Sequence, residues 1–144
     1  MRGDGLVIII DSSGSMAEMG KIDVLKANFV ALRRLCPKAE FFVWNNHIIP
    51  LTKAKELIPS GKTNIEELKE FITNKQAEHI FLISDGLWQR GDDKVISDVA
   101  DDRMIGVRVG FDANISKIGK AINGSEKVWD IVDLVSLLHV LHEI

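Results

Sequence analysis

Asp11, Ser13 and Ser15 recur at intervals of two in the segment Asp11-Ser12-Ser13-Gly14-Ser15-Met16, directly after an apolar run. Side chains two apart in an extended loop point the same way, so these three oxygens can face one point while Ser12 turns aside. Gly14 lets the loop curl closely. Two other loops offer oxygens of the same kind. Thr63 closes Ser60-Gly61-Lys62-Thr63 ahead of a helical pattern, and Asp85 precedes Gly86 at the end of another apolar run. Such oxygens suit hard cations. Magnesium takes six of them in near-octahedral geometry, keeps several waters and is typically held by one or two carboxylates. The set contains no His or Cys, which argues against zinc or copper. With Asp11 and Asp85 as its only charged members, the set leaves a divalent ion electrophilic and open to an anionic ligand from outside.

These residues need elements that bring them together, and the hydrophobic pattern supplies them. Residues 6–10 form a continuous apolar, largely β-branched run, the pattern of a strand buried on both faces. Ile22, Leu25, Phe29, Leu32 and Cys36 follow at helical spacing, and Pro37 ends that helix. Strands are expected at 40–44, 47–52, 79–84, 104–109 and 127–129. Asn45-Asn46 marks a hairpin between the first two of these, and Pro50 suits an edge strand. Helices are expected at 54–58, 65–72, 94–100, 115–122 and 132–143. Leu134, Leu138 and Leu141, with Val135 and Leu137, form the apolar face of the last. Alternating strands and helices imply crossover units. The expected architecture is α/β: a doubly wound, mostly parallel six-stranded sheet with one antiparallel edge strand and helices on both faces. Ligands of such sheets bind beyond the carboxyl ends of the strands, where the strand order reverses. The loops carrying Asp11, Thr63 and Asp85 would all open there.

The 144 residues are expected to form a single domain, 1–144. With 46% hydrophobic and 27% charged residues the composition is that of an ordinary globular protein. A net charge of -3 gives no basic excess for nucleic acid or an anionic membrane. The five apolar residues after Met1-Arg2-Gly3-Asp4-Gly5 are too few for a signal-peptide core or a membrane span. The single cysteine, Cys36, is expected at the helix end, and a cytoplasmic location fits its isolation. Arg-Gly-Asp occurs at 2–4 and at 90–92, in polar stretches that read as coincidence.

The segment Asp11-Ser12-Ser13-Gly14-Ser15-Met16 resembles the metal-ion-dependent adhesion site of von Willebrand factor A domains, also called integrin I-like domains. That site is written Asp-x-Ser-x-Ser, then a distant Thr and a distant Asp, which here match Asp11, Ser13, Ser15, Thr63 and Asp85. The resemblance covers essentially the whole chain. It departs at Lys62, where a small residue often precedes the Thr. It implies a Rossmann-like fold and binding rather than catalysis. The two serines and often the threonine would contact Mg2+ or Mn2+, the aspartates acting directly or through water. The Asp or Glu of a protein partner would complete the shell, and an AAA+ ATPase or a larger assembly is the kind of partner implied. Lys62, Trp88 and Arg90 are the expected partner-binding rim.

Other readings compete. Residues 63–66, Thr-Asn-Ile-Glu, match a capping box in which Thr63 would cap the helix and Glu66 reach back. Gly61-Lys62-Thr63 mimics the end of a phosphate-binding loop, but Glu56 stands where that pattern needs glycine. A haloacid-dehalogenase-like Mg-dependent phosphatase also begins with a strand ending in Asp. Its second acid, two residues on, is Ser13 here. A von Willebrand factor A scaffold with a non-functional metal site is the remaining alternative. His139 and His142 are expected at the surface.

Overall fold

A computed structural model of the protein describes residues 5–144; Met1–Asp4, with the first Arg-Gly-Asp, lie outside the described residues. The strands are β1 (Leu6–Asp11), β2 (Glu40–Trp44), β3 (Ile48–Pro50), β4 (His79–Ser84), β5 (Met104–Arg108) and β6 (Val128–Asp130). The helices are α1 (Lys21–Leu35), α2 (Ile65–Asn74), α3 (Asp92–Ser97), α4 (Ile115–Ala121) and α5 (Leu134–Val140). The six strands form one sheet in the order β3-β2-β1-β4-β5-β6. Among the described residues only the β2–β3 pairing is antiparallel. β1 and β4 lie side by side at the centre, with Ile8 opposite Phe81. The sheet order steps away from β1 in both directions, so the loops after β1 and β4 flank the switch point.

Every residue of β1 is buried. Alternation sends Leu6, Ile8 and Ile10 to one face, where they pack with Leu25, Phe29 and Leu32 of α1 and Leu134, Leu137 and Leu138 of α5. Val7 and Ile9 go to the other, against Leu68 and Ile72 of α2, Ile96 before the end of α3, and Ile118 and Ala121 of α4. Each fully buried aliphatic side chain contributes about 1.5–3 kcal/mol. This is why a near-continuous apolar strand specifies the centre of a two-faced sheet.

Several elements are shorter than the sequence suggests. The strand expected at 47–52 is Ile48–Pro50, and the helix expected at 54–58 is one 3-10 turn, Ala54–Glu56. The last helix is a 3-10 turn at Ile131–Asp133 followed by α5. Val135 is exposed, so its side of α5 faces solvent, while Leu137 is buried as expected. Cys36 is buried at the C-terminal cap of α1, as expected, and burial raises its thiol pKa. Among the described residues no helix is long and apolar enough to cross a membrane.

Arg103, just before β5, has no counterpart in the sequence reading. It is 7% exposed. Its guanidinium donates to Lys75 O at 2.6 Å and to Ile72 O at 3.0 Å, satisfying carbonyls at the end of α2. Its Nε donates to Asp101 Oδ1 at 2.9 Å. Hydrogen bonds to a charged group contribute about 1.5–3 kcal/mol each, so Arg103→Met should lower the melting temperature by about 10 °C in a thermal scan. An unchanged melting point would mean α2 closes without it.

Candidate metal centre

β1 ends on Asp11 and the chain turns at once. The Ser12 amide donates to Trp44 O at 2.8 Å, which holds this loop against the end of β2. The Asp11 carboxylate is fully buried. Its Oδ1 accepts the Ser13 amide at 2.8 Å. Its Oδ2 accepts the Ser84 hydroxyl at 2.6 Å and the Trp88 indole N–H at 3.2 Å. Burial is the largest influence on this carboxyl and raises its pKa above 3.8, the hydrogen bonds from Ser84 and Ser13 opposing it and the charge of Asp85 adding to it.

Asp85 follows β4 and is equally buried. Its Oδ1 accepts the Leu87 amide at 3.0 Å, and its Oδ2 pairs with Lys21 Nζ at 2.9 Å. Gly86 takes φ +70°, and a Cβ there would lie 2.7 Å from Asn114 O. Only glycine allows both the left-handed turn and this close approach of the α4 N-terminus. Ser84 joins the two acidic loops. Besides donating to Asp11, its oxygen accepts the Gly86 amide at 2.9 Å.

The hydroxyls of Ser13 and Ser15 stand 3.3 Å apart. With Thr63 they line a crevice of about 100 Å3 whose walls also include Lys62, Leu87 and Trp88. The Thr63 loop is tied to the first loop by the backbone: Gly14 N donates to Gly61 O at 2.9 Å and Ser60 N to Ser12 O at 3.0 Å. The Asn45 side-chain amide bridges both, donating to Ser12 O at 2.7 Å and Ser60 O at 2.6 Å. Thr63 does not cap α2. Asn64 does, its Oδ1 accepting the amides of Glu66 at 3.1 Å and Glu67 at 3.2 Å. The capping-box expectation therefore fails, and Thr63 lines the crevice instead.

The donor set fits a hard divalent cation. Adjacent ligands about 2.1 Å from an octahedral ion lie about 3 Å from each other, close to the serine separation seen here. Ser13, Ser15 and Thr63 would supply neutral oxygens at the crevice. Asp11 and Asp85, buried behind it, would supply the charge.

Comparison with solved structures gives the fold. Proximal thread matrix protein 1 from the mussel byssus, in a structure with a zinc-occupied metal-ion-dependent adhesion site, superposes with TM-score 0.62 at 11% identity, over 98% of this chain and 45% of that one. Manganese-loaded TRAP from Plasmodium vivax superposes with TM-score 0.70 at 14% identity, over 95% of this chain and 72% of that one. BatB from Bacteroides thetaiotaomicron gives TM-score 0.62 at 12% identity, over 98% and 97%. This is a von Willebrand factor A fold. The chain spans slightly under half the length of the mussel protein. No family model matches the sequence, and no curated protein matches it.

Within this fold all five candidate ligand residues read from the sequence, Asp11, Ser13, Ser15, Thr63 and Asp85, come to the switch-point edge. The rim differs in detail from the expected one. Lys62 is exposed on the crevice wall. Trp88 also lines it but is 7% exposed, its indole N–H spent on Asp11 and its ring 6.5 Å from that of Trp44. The exposed apolar side chain at the crevice is Leu87. Arg90 is exposed on the same loop. In the second Arg-Gly-Asp, Asp92 is 9% exposed in the first turn of α3, which closes that tripeptide off as a recognition sequence.

Three contributors escaped the sequence reading: Ser84, Asn45 and Lys21. A hydroxyl directly before Asp85-Gly86 at a strand end could have signalled Ser84. Asn45 reads equally well as a plain turn residue. Lys21 opens α1 like any solvated lysine, yet it is 1% exposed. Its Nζ lies 2.9 Å from Asp85 Oδ2, 2.6 Å from Asp112 Oδ1 and 3.2 Å from Ser15 O. Burial pulls its pKa down, but Asp112 and Asp85 outweigh that and hold it above 10.5, so it is a cation at neutral pH.

Proposed function

We propose that this chain is a protein-interaction module that acts by binding and not by catalysis. Asp11, Ser13, Ser15, Thr63 and Asp85 would hold Mg2+ or Mn2+, and the ion would take a Glu or Asp carboxylate of a partner protein. The observation that carries the proposal is the convergence of three hydroxyls on one crevice with two buried carboxylates behind it, at the switch point. The wider edge suits a protein surface. Met19, Phe111 and Val132 are 62%, 99% and 80% exposed and surround a depression of about 380 Å3 next to the centre. Exposed apolar groups gathered at one place mark contact surfaces. Lys62 adds positive potential for an acidic partner. The metal-loaded neighbours support the same reading, and an AAA+ ATPase or a larger assembly remains the kind of partner proposed.

The geometry gives little support to a phosphatase. A nucleophilic Asp11 would need a free oxygen facing substrate, but both of its oxygens accept hydrogen bonds in a fully buried site.

The test is capture of a binding partner from the native source on immobilised protein. Capture should be lost in chelator, return with magnesium or manganese, and be absent with Ser13→Ala. Exchanging the partner's contacting Glu or Asp for Gln or Asn should reduce affinity at least about 100-fold, since a coordinating charge is lost. Equal capture with and without chelator would place the interaction elsewhere. The chain should also leave a generic aryl phosphate unhydrolysed in magnesium.

A further inference from the structure

We propose that Lys21 is a built-in counterion of the metal centre, which limits how tightly the centre holds a divalent cation and keeps the bound cation receptive to an incoming carboxylate. The inference rests on the metal centre proposed above and adds to it a residue that its ligand pattern does not contain. An ammonium is costly to bury unless it is paired and hydrogen-bonded. Lys21 meets that condition only through this edge: Asp85 Oδ2 at 2.9 Å, Asp112 Oδ1 at 2.6 Å and Ser15 O at 3.2 Å. Two of those partners belong to residues of the ligand set.

The loop after β5 is shaped around the lysine arm. Gly110 takes φ +92°, and a Cβ there would lie 2.4 Å from Lys21 Cε and 3.1 Å from its Cδ. A side chain at 110 would take up a left-handed backbone and press on the lysine stem, so the glycine suits the placement from a second element.

The charges explain what the arrangement does. Asp11, Asp85 and Asp112, when ionised, oppose one ammonium and leave two negative charges, which a divalent cation cancels. Without the ammonium, three negative charges would surround the ion. They would bind it more tightly and repel a fourth carboxylate arriving from a partner. Lys21 also occupies one oxygen of Asp85, so that oxygen is withheld from the ion.

The experiment is calorimetric titration of chelator-treated protein with manganese alone. Lys21→Met keeps the stem and removes the charge, and should bind manganese at least about tenfold more tightly than the parent. Its melting temperature in chelator should fall, and its rise on adding manganese should exceed the parent's. Lys21→Met/Asp112→Asn restores two negative charges and should return to within about threefold of the parent. If Lys21→Met does not fold, Asp112→Asn alone decides. Asp112 is 28% exposed, Asn keeps its shape, and losing its charge should weaken manganese about tenfold. Lys21→Met binding no tighter than the parent, or Asp112→Asn binding equally well, overturns the role of Lys21 while leaving the metal centre standing. A parent that binds no divalent cation overturns both.

Discussion

Asp11→Asn should cost at least about 100-fold in divalent-cation affinity, more than the usual effect of altering an outer hydrogen-bond partner of a metal ligand. The exchange is nearly isosteric. Its remaining oxygen can still accept the Ser13 amide, which lies 2.8 Å from Oδ1 in the parent. The charge is lost, and the amide nitrogen standing in place of Oδ2 cannot accept the Ser84 hydroxyl or the Trp88 indole N–H. Metal ligands must be deprotonated, and burial holds the Asp11 pKa above 3.8, so the parent's affinity should climb with pH through that raised value and then level off. The variant should lack this dependence. The metal-free fold should show the opposite sign. A carboxyl whose folded pKa is raised favours folding below 3.8 and loses that contribution as pH rises through the folded value. In chelator, the parent should therefore lose stability relative to Asp11→Asn as pH rises from the ordinary carboxylate range through the raised value, and manganese should restore it. Titration calorimetry and denaturant melts at several pH values measure both effects. Equal manganese affinity in parent and variant would remove Asp11 from the ligand set.

The sequence exposes the frame of this centre because burial leaves a plain mark. A strand buried on both faces must be apolar along its length, so Asp11, the sixth and last residue of β1, is conspicuous. The same holds for Asp85 after β4. Both loops necessarily open at the carboxyl edge of a parallel sheet. What the sequence hides is direction. Trp88 looks like a rim residue because it follows Asp85-Gly86, but a buried indole N–H needs an acceptor, and Asp11 supplies one. Thr63 looks like a cap because Glu66 stands three residues later, but the Asn64 side chain reaches two amides at once. Lys21 is the extreme case. Its burial depends on Asp85, Gly110 and Asp112, all more than sixty residues away, and no local pattern carries that information.

Ser84→Ala should be the most damaging small substitution to the metal-free fold at this edge, with a melting temperature lower by about 12 °C. The Ser84 oxygen donates to Asp11 Oδ2 at 2.6 Å and accepts the Gly86 amide at 2.9 Å, with no exposure to solvent. Alanine removes both bonds and leaves a buried carboxylate oxygen with one donor fewer and a buried amide without its acceptor. Each such loss costs about 1–3 kcal/mol, and the charged partner sits at the upper end, so the sum is about 4 kcal/mol. The ligand set itself is untouched, so manganese should still bind, about tenfold more weakly as Asp11 loses a fixed neighbour. Losing a bond that lowers the Asp11 pKa should also shift the pH dependence of metal binding upward. Thr63→Ala should behave in the opposite way. Thr63 lines the crevice and is only half-buried, so metal affinity should fall while the melting temperature in chelator stays within about 2 °C of the parent. The two alanine variants thus separate a strut from a ligand by thermal scans and manganese titration alone. A Ser84→Ala protein as stable as the parent would mean the acidic loops hold their positions without the hydroxyl bridge, and that the packing of Trp88 against Trp44 carries them instead.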